Sequence, residues 1–77
     1  MENIISWNIN SVRTKYPFLQ LLCNDLSPTV LCLQETKLTP DDNFKLKHYT
    51  IFRSDYNSTG NARGGILIAV ANNIHAE

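Results

Sequence analysis

Apolar residues recur along this chain in two rhythms, and the change of rhythm outlines its elements. In residues 3–9, Ile5, Trp7 and Ile9 alternate with Ser6, Asn8 and Asn10, the two-residue period of a half-buried strand. Residues 11–14 read as a polar turn. A helical rhythm follows, with Leu19, Leu22, Cys23 and Leu26 at i, i+3, i+4 and i+7 forming one apolar stripe. Gln20, Asn24 and Asp25 take the wet side. The helix is expected to start near Pro17, because proline lacks the N–H that has no partner in a first turn. Ser27-Pro28 ends it, since proline disfavours helical geometry in the residue before it.

The pattern then changes again. Val30-Leu31-Cys32-Leu33 is an unbroken apolar run, which predicts a second strand over residues 29–34 covered on both faces. Residues 36–43, with Pro40, Asp41 and Asp42, read as loop, and residues 49–53 as a short aromatic-rich third strand. Three glycines and two asparagines make 57–65 a flexible connection, and 65–70 is a fourth strand. There is no internal repeat or low-complexity tract. Strand, helix and strand within about thirty residues have the length of a βαβ unit, whose crossover makes the two strands parallel. The last two strands read as an antiparallel pair added to that sheet, so the fold class is α/β. A final strand at the chain end with no cover predicts that the domain continues, and residues 1–77 are expected to be part of a larger one.

Composition narrows the classes. At 43% hydrophobic residues, intrinsic disorder is not expected. Seven basic and seven acidic residues cancel, so the whole-chain field argues neither for nor against nucleic acid. A chain of 77 residues allows one small domain, and at roughly that size a stable fold usually carries a staple. No staple is evident. Cys23 and Cys32 fall on the predicted helix and strand without Cys-x-x-Cys spacing, and read as small apolar core residues. A reducing, intracellular compartment follows as the default. Met1-Glu2-Asn3 does not open a signal peptide. The longest apolar stretch, residues 66–71, falls far short of the ~20 residues of a membrane span. No membrane partner is therefore expected, and the sequon Asn57-Ser58-Thr59 reads as coincidence.

Two parallel strands end at the same edge of a sheet, where ligands of open α/β folds tend to bind. The first ends in Trp7-Asn8-Ile9-Asn10 and the second in Leu33-Gln34-Glu35-Thr36. With neighbouring strands about 4.8 Å apart, Asn8 and Glu35 can converge on one small volume. A carboxylate beside amide oxygens suits a hard divalent cation such as Mg²⁺, which polarises phosphate oxygens and stabilises leaving oxyanions. Each of these residues also has a plain structural role open to it. Glu35 can be a solvated acid after a strand, and Asn8 and Asn10 can be turn formers bonded to local backbone. Arg13, Lys15, Arg53 and Arg63 can be phosphate contacts or a solvated basic face; His48 and His75 have no partner at ligand spacing; Trp7 reads as core. Pattern alone names no enzyme.

The residues themselves go further. Ile5-Ser6-Trp7-Asn8-Ile9-Asn10-Ser11-Val12-Arg13, followed by Pro28-Thr29-Val30-Leu31-Cys32-Leu33-Gln34-Glu35-Thr36-Lys37, resembles the opening of the endonuclease/exonuclease/phosphatase superfamily. The nearer likeness is to apurinic/apyrimidinic-type endonuclease domains of non-long-terminal-repeat retrotransposons. Asn10, where repair enzymes more often have aspartate, carries that likeness, as do Phe52-Arg53-Ser54-Asp55 and Gly64-Gly65-Ile66-Leu67-Ile68-Ala69-Val70. The resemblance implies a four-layered α/β sandwich of two packed sheets. It implies Mg²⁺ or Mn²⁺, with Glu35 as the metal-ligating glutamate and Asn8 as the asparagine of the metal site. Asn10 takes the neighbouring position and, with Arg13, faces substrate. The reaction implied is phosphodiester hydrolysis in DNA by an activated water. Its setting would be a polyprotein that also carries a reverse transcriptase and acts on nuclear DNA.

The sequence departs from the pattern in two ways. Ser11 stands where the family usually has glycine, which is expected to stiffen the turn. The family's general-base aspartate–histidine pair, its Asp-x-Asn motif and its active-site tyrosine belong to later segments and have no counterpart among these 77 residues. Because water activation needs a base and several converging groups, this chain alone is expected to lack appreciable nuclease activity. A truncated, non-enzymatic retroelement copy and a phosphatase branch of the same superfamily are the alternative readings.

Overall fold

In the computed structural model, residues 3–55 and 64–72 are described. The alternating first segment forms β1 (Ile4–Asn8), and a helix, α1 (Val12–Leu26), carries the chain back to β2 (Val30–Gln34). After an irregular segment come β3 (Tyr49–Ser54) and β4 (Ile66–Ala71). One mixed sheet results, in the order β1-β2-β4-β3. β1 and β2 are parallel neighbours, while β4 is antiparallel to both β2 and β3. The βαβ unit and the added antiparallel pair are thus as expected, and the α/β class holds.

The register sorts side chains into two faces. Ile5, Leu31, Ala69 and Ile51 lie in one cross-strand row, and Trp7, Leu33, Leu67 and Arg53 in the next. These rows face the core, where Leu31, Leu33, Leu67 and Ala69 are sealed together with Val12 and Leu19 of α1 and with Ile9, Leu38 and Leu46. The alternate rows, among them Ser6, Cys32, Ile68 and Phe52, form an open face.

Three expectations need correction. First, α1 starts at Val12, so residues 12–14 are helix and Pro17 lies inside it. Val12 and Tyr16 extend the apolar stripe two turns ahead of Leu19, with Val12 fully buried and Tyr16 packed edge-on to Phe44. The Val12 N–H, an orphan of the first turn, donates to the Thr36 carbonyl at 3.1 Å. That packing and bonding outweigh the proline. At the other end Leu26, on the predicted stripe, is exposed, while Ser27 in left-handed geometry donates its N–H to the Cys23 carbonyl and closes the helix. Second, β2 is covered on one face, because Val30 and Cys32 lie on the open side. Cys32 is therefore not a core residue, whereas Cys23 packs against the core; both thiols are free. Third, Arg53 is no solvated cation. Its Nη2 donates to the carbonyls of Thr39 and Asp42, and its Nε pairs with Asp55 at 3.3 Å.

Of the predicted connection, Gly64 and Gly65 are described, and both have positive φ. Its other residues, including the sequon and Arg63, lie outside the described residues, as does His75. His48 is exposed. Among the described residues no helix is long and apolar enough to cross a membrane.

Candidate active site

The site grows out of the parallel ladder where β1 and β2 end. Asn8 is in register with Gln34, and beyond the strands the pairing continues through backbone bonds. The N–H of Ile9 donates to Gln34 (3.0 Å), that of Ser11 to Glu35 (2.8 Å) and that of Val12 to Thr36 (3.1 Å). Asn8, Asn10 and Glu35 are consequently carried on two bonded segments at one edge of the sheet, and all three are exposed. Ser54, which ends β3, and Gly65, just before β4, reach the same edge because those strands are antiparallel.

The backbone there is unusual. Asn10 (φ 50°), Ser11 (84°), Glu35 (57°) and Lys37 (58°) all occupy positive φ without being glycine, and Gly64 and Gly65 do so beside them. Left-handed geometry in L-residues costs about 1–2 kcal/mol each, and such strain collects at functional sites held by their surroundings. Ser11 is the residue in the place where glycine was expected, and its φ is one that glycine adopts freely. Glu35 turns left-handed directly after β2, leaving the strand's alternation as its carbonyl accepts from Ser11.

Charged neighbours frame this edge. Lys15 reaches back from α1 so that its Nζ donates to the carbonyls of Ile9 (3.1 Å) and Asn10 (3.3 Å), bracing the turn. Arg13 lies in the first turn of α1 and forms an ion pair with Asp42. The other Asp42 oxygen accepts from the N–H (2.7 Å) and hydroxyl (3.2 Å) of Thr39. Arg13 is therefore tied to the 38–44 loop and is not grouped with Glu35 by any bond. Among the described residues, Asn8, Asn10 and Glu35 make no side-chain hydrogen bonds, and no group of three or more acidic, cysteine or histidine side chains is gathered for a metal. Chemically, the edge offers one exposed carboxylate and two amides, all oxygen donors, in a frame fixed by backbone bonds. Oxygen donors of this kind are the type that Mg²⁺ or Mn²⁺ takes.

Sequence reasoning passed over three contributors. Thr36 is fully buried beside Glu35. Gly65 comes so close that a Cβ there would lie 2.5 Å from Thr36 Oγ1. The Arg53–Asp55 pair completes the rim. The glycine pair and the i, i+2 spacing of Arg53 and Asp55 were visible, but nothing local to them indicated that both meet Thr36's end of β2.

A profile of the endonuclease/exonuclease/phosphatase family matches residues 5–77. The chain belongs to that family. Solved structures agree with this endonuclease/exonuclease/phosphatase assignment. An AP endonuclease from Archaeoglobus fulgidus shares 26% identity, with 91% of this chain and 27% of that one covered and a TM-score of 0.69. The Xenopus laevis APE2 catalytic domain gives 28%, 88%, 23% and 0.72 in the same order. A Neisseria 3′ phosphatase bound to product DNA hairpin gives 27%, 91%, 27% and 0.66. The chain thus spans about a quarter of the length of these structures. No curated protein sequence matches significantly.

Proposed function

We propose that residues 1–77 are the N-terminal portion of a Mg²⁺- or Mn²⁺-dependent DNA endonuclease domain, set in a non-long-terminal-repeat retrotransposon polyprotein with a reverse transcriptase. The parallel β1–β2 register supports this reading, since it brings Asn8 and Glu35 to one edge in a family whose similar structures include AP endonucleases and a phosphatase bound to DNA. In this reading Glu35 and Asn8 hold the cation, which lowers the barrier by neutralising charge on the phosphate. Asn10 lies beside the scissile group, and Arg13 draws the DNA backbone toward the edge, exchanging Asp42 for a phosphate. The general base and further charged groups come from outside these residues. The open apolar face of the sheet receives the rest of the domain as a second packed sheet. With genomic DNA as target, the working compartment is the nucleus. The retrotransposon setting is supported by Trp7-Asn8-Ile9-Asn10 and Phe52-Arg53-Ser54-Asp55.

The reading is tested by extending the chain into its flanking reading frame and assaying supercoiled DNA. A longer polypeptide should nick in a metal-dependent way and lose on the order of a hundredfold or more in rate on Glu35→Ala, while the 77-residue chain nicks negligibly. Rapid, metal-dependent nicking by the 77-residue chain itself, or full activity of the Glu35→Ala variant, would overturn it. Sequencing the flank tests the setting: a downstream polymerase frame is expected.

A further inference from the structure

Thr36 directly follows Glu35 and is fully buried, yet its hydroxyl oxygen has no hydrogen-bond partner among the described residues. Asp55 presents the complementary case. Its side chain is 8% exposed, Oδ2 pairs with Arg53 Nε at 3.3 Å, and Oδ1 has no partner among the described residues. The two sites meet at Gly65, where a Cβ would lie 2.5 Å from Thr36 Oγ1 and 3.8 Å from Asp55 Cα. Backbone bonds join the same parts: the N–H of Thr36 donates to Gly65 (3.4 Å) and that of Lys37 to Gly64 (2.8 Å).

A threonine hydroxyl has a proton to give, and an ionised carboxylate can only accept. Leaving both unpaired in a buried position is costly, so the two defects are most simply resolved by each other. We propose that the Thr36 hydroxyl donates to Asp55 Oδ1, directly or through one buried water, and that Asp55 is thereby a positioning residue for Glu35. Gly65 keeps the gap between them free of a side chain. Arg53 orients the carboxylate and anchors it to the carbonyls of Thr39 and Asp42. The left-handed Glu35 is then held from both sides, by the Ser11 N–H on its own carbonyl and by the Thr36–Asp55 link on the next residue. The positioning role rests on the reading of Glu35 as a metal ligand; the link itself does not.

Two measurements on the 77-residue chain separate them. The first is the Thr36 hydroxyl proton by NMR. It should exchange slowly enough to be observed, persist in Thr36→Ser as a serine hydroxyl, vanish in Asp55→Ala, and largely return in Asp55→Asn, which keeps an acceptor. A double-mutant cycle of Thr36→Val with Asp55→Ala should show coupling of about tenfold in the unfolding equilibrium constant. If Thr36→Val does not fold, the exchange series with Thr36→Ser and the Asp55 variants decides alone. A hydroxyl exchanging at the rate of an exposed threonine, or strictly additive variants, overturns the link. The second is Mn²⁺ titration. Asp55→Ala should weaken binding about tenfold and Thr36→Ser should change it less than twofold. Unchanged affinity in Asp55→Ala, with binding abolished in Glu35→Gln, overturns the positioning role. Unchanged affinity in Glu35→Gln instead overturns the ligand reading, and the positioning role with it, while the NMR series still judges the link.

Discussion

On one face of the sheet Leu31, Leu33, Leu67 and Ala69 are sealed beneath α1 and the 38–46 segment; on the other, Ile4, Phe52, Ile66 and Ile68 remain 72%, 60%, 53% and 37% exposed. The side chains are of the same kind, and they alternate along the same strands. What differs is whether a partner element exists. Residues 12–26 and 38–46 supply one for the first face, and none of the described residues supplies one for the second. Isolated apolar side chains on a surface need no explanation, but a contiguous patch on one sheet face marks a place where another surface belongs. In the endonuclease proposal that surface is a second sheet; the similar structures are about four times the length of this chain.

The sharpest way to break this contrast is to make the same truncation on each face. Leu33→Ala should destabilise the chain by about 3 kcal/mol, from lost transfer energy and an unfilled cavity. Ile4→Ala should cost no more than about 1 kcal/mol, because Ile4 is 72% exposed and little of its area leaves water to begin with. Urea denaturation of the two variants measures the ratio. Equal losses would mean that the open face is covered in solution, by self-association or by another segment.

A smaller effect is expected at the rim, where the faces meet the candidate site. Gly65→Ala forces a side chain into left-handed φ and drives a Cβ to 2.5 Å from Thr36 Oγ1. A loss of about 2 kcal/mol follows from the conformation and the contact together, read as a shift in the urea midpoint. The open face itself should respond differently. Phe52→Ser and Ile66→Thr should move stability by no more than about 0.5 kcal/mol and yet reduce concentration-dependent association, as seen by sedimentation. Unchanged sedimentation across a tenfold concentration range in both the original chain and these variants would mean that the patch does not make copies adhere.

How much of this could be read beforehand follows the range of the interactions. The β1 alternation and the βαβ order were legible because they are local: Ile5, Trp7 and Ile9 declare their face without knowledge of the rest. The α1 start was missed because Pro17 is a strong local signal, whereas the Val12 N–H finds its acceptor on Thr36, remote in sequence. The unbroken run in β2 was read as two covered faces. Its second face is apolar, but the described residues offer nothing to cover it, and a pattern encodes the need for a partner without encoding the partner's presence. At the site, Asn8 and Glu35 could be brought to one edge by topology alone. Thr36, Asp55 and Gly65 could not, since their meeting depends on β4 inserting between β2 and β3, and neither Gly-Gly nor Arg-x-Asp specifies that order.

The covered face also has a margin, and ionisable groups there test how far its seal extends. Burial raises the Cys23 thiol above its ordinary 9.0, outweighing a hydrogen bond with Tyr49 that acts the other way. The Tyr49 phenol is raised above 10.0, first by burial and then by the neighbouring Cys23. Tyr49 gives its one proton to the Pro28 carbonyl at 2.6 Å, which ties the phenol to the start of β2. Both groups are neutral when protonated and hold their protons more tightly folded than unfolded. Their stabilising contribution is therefore complete below the unfolded values and is lost as pH rises through the folded ones. The urea midpoint should stay level to about pH 8.5 and fall from about pH 9 upward. Cys23→Ala should remove the earlier part of that fall, and Tyr49→Phe the later part. A wild-type midpoint that remains level across the whole window would mean that water reaches these groups freely, and the seal over the covered face would then stop short of the last turn of α1.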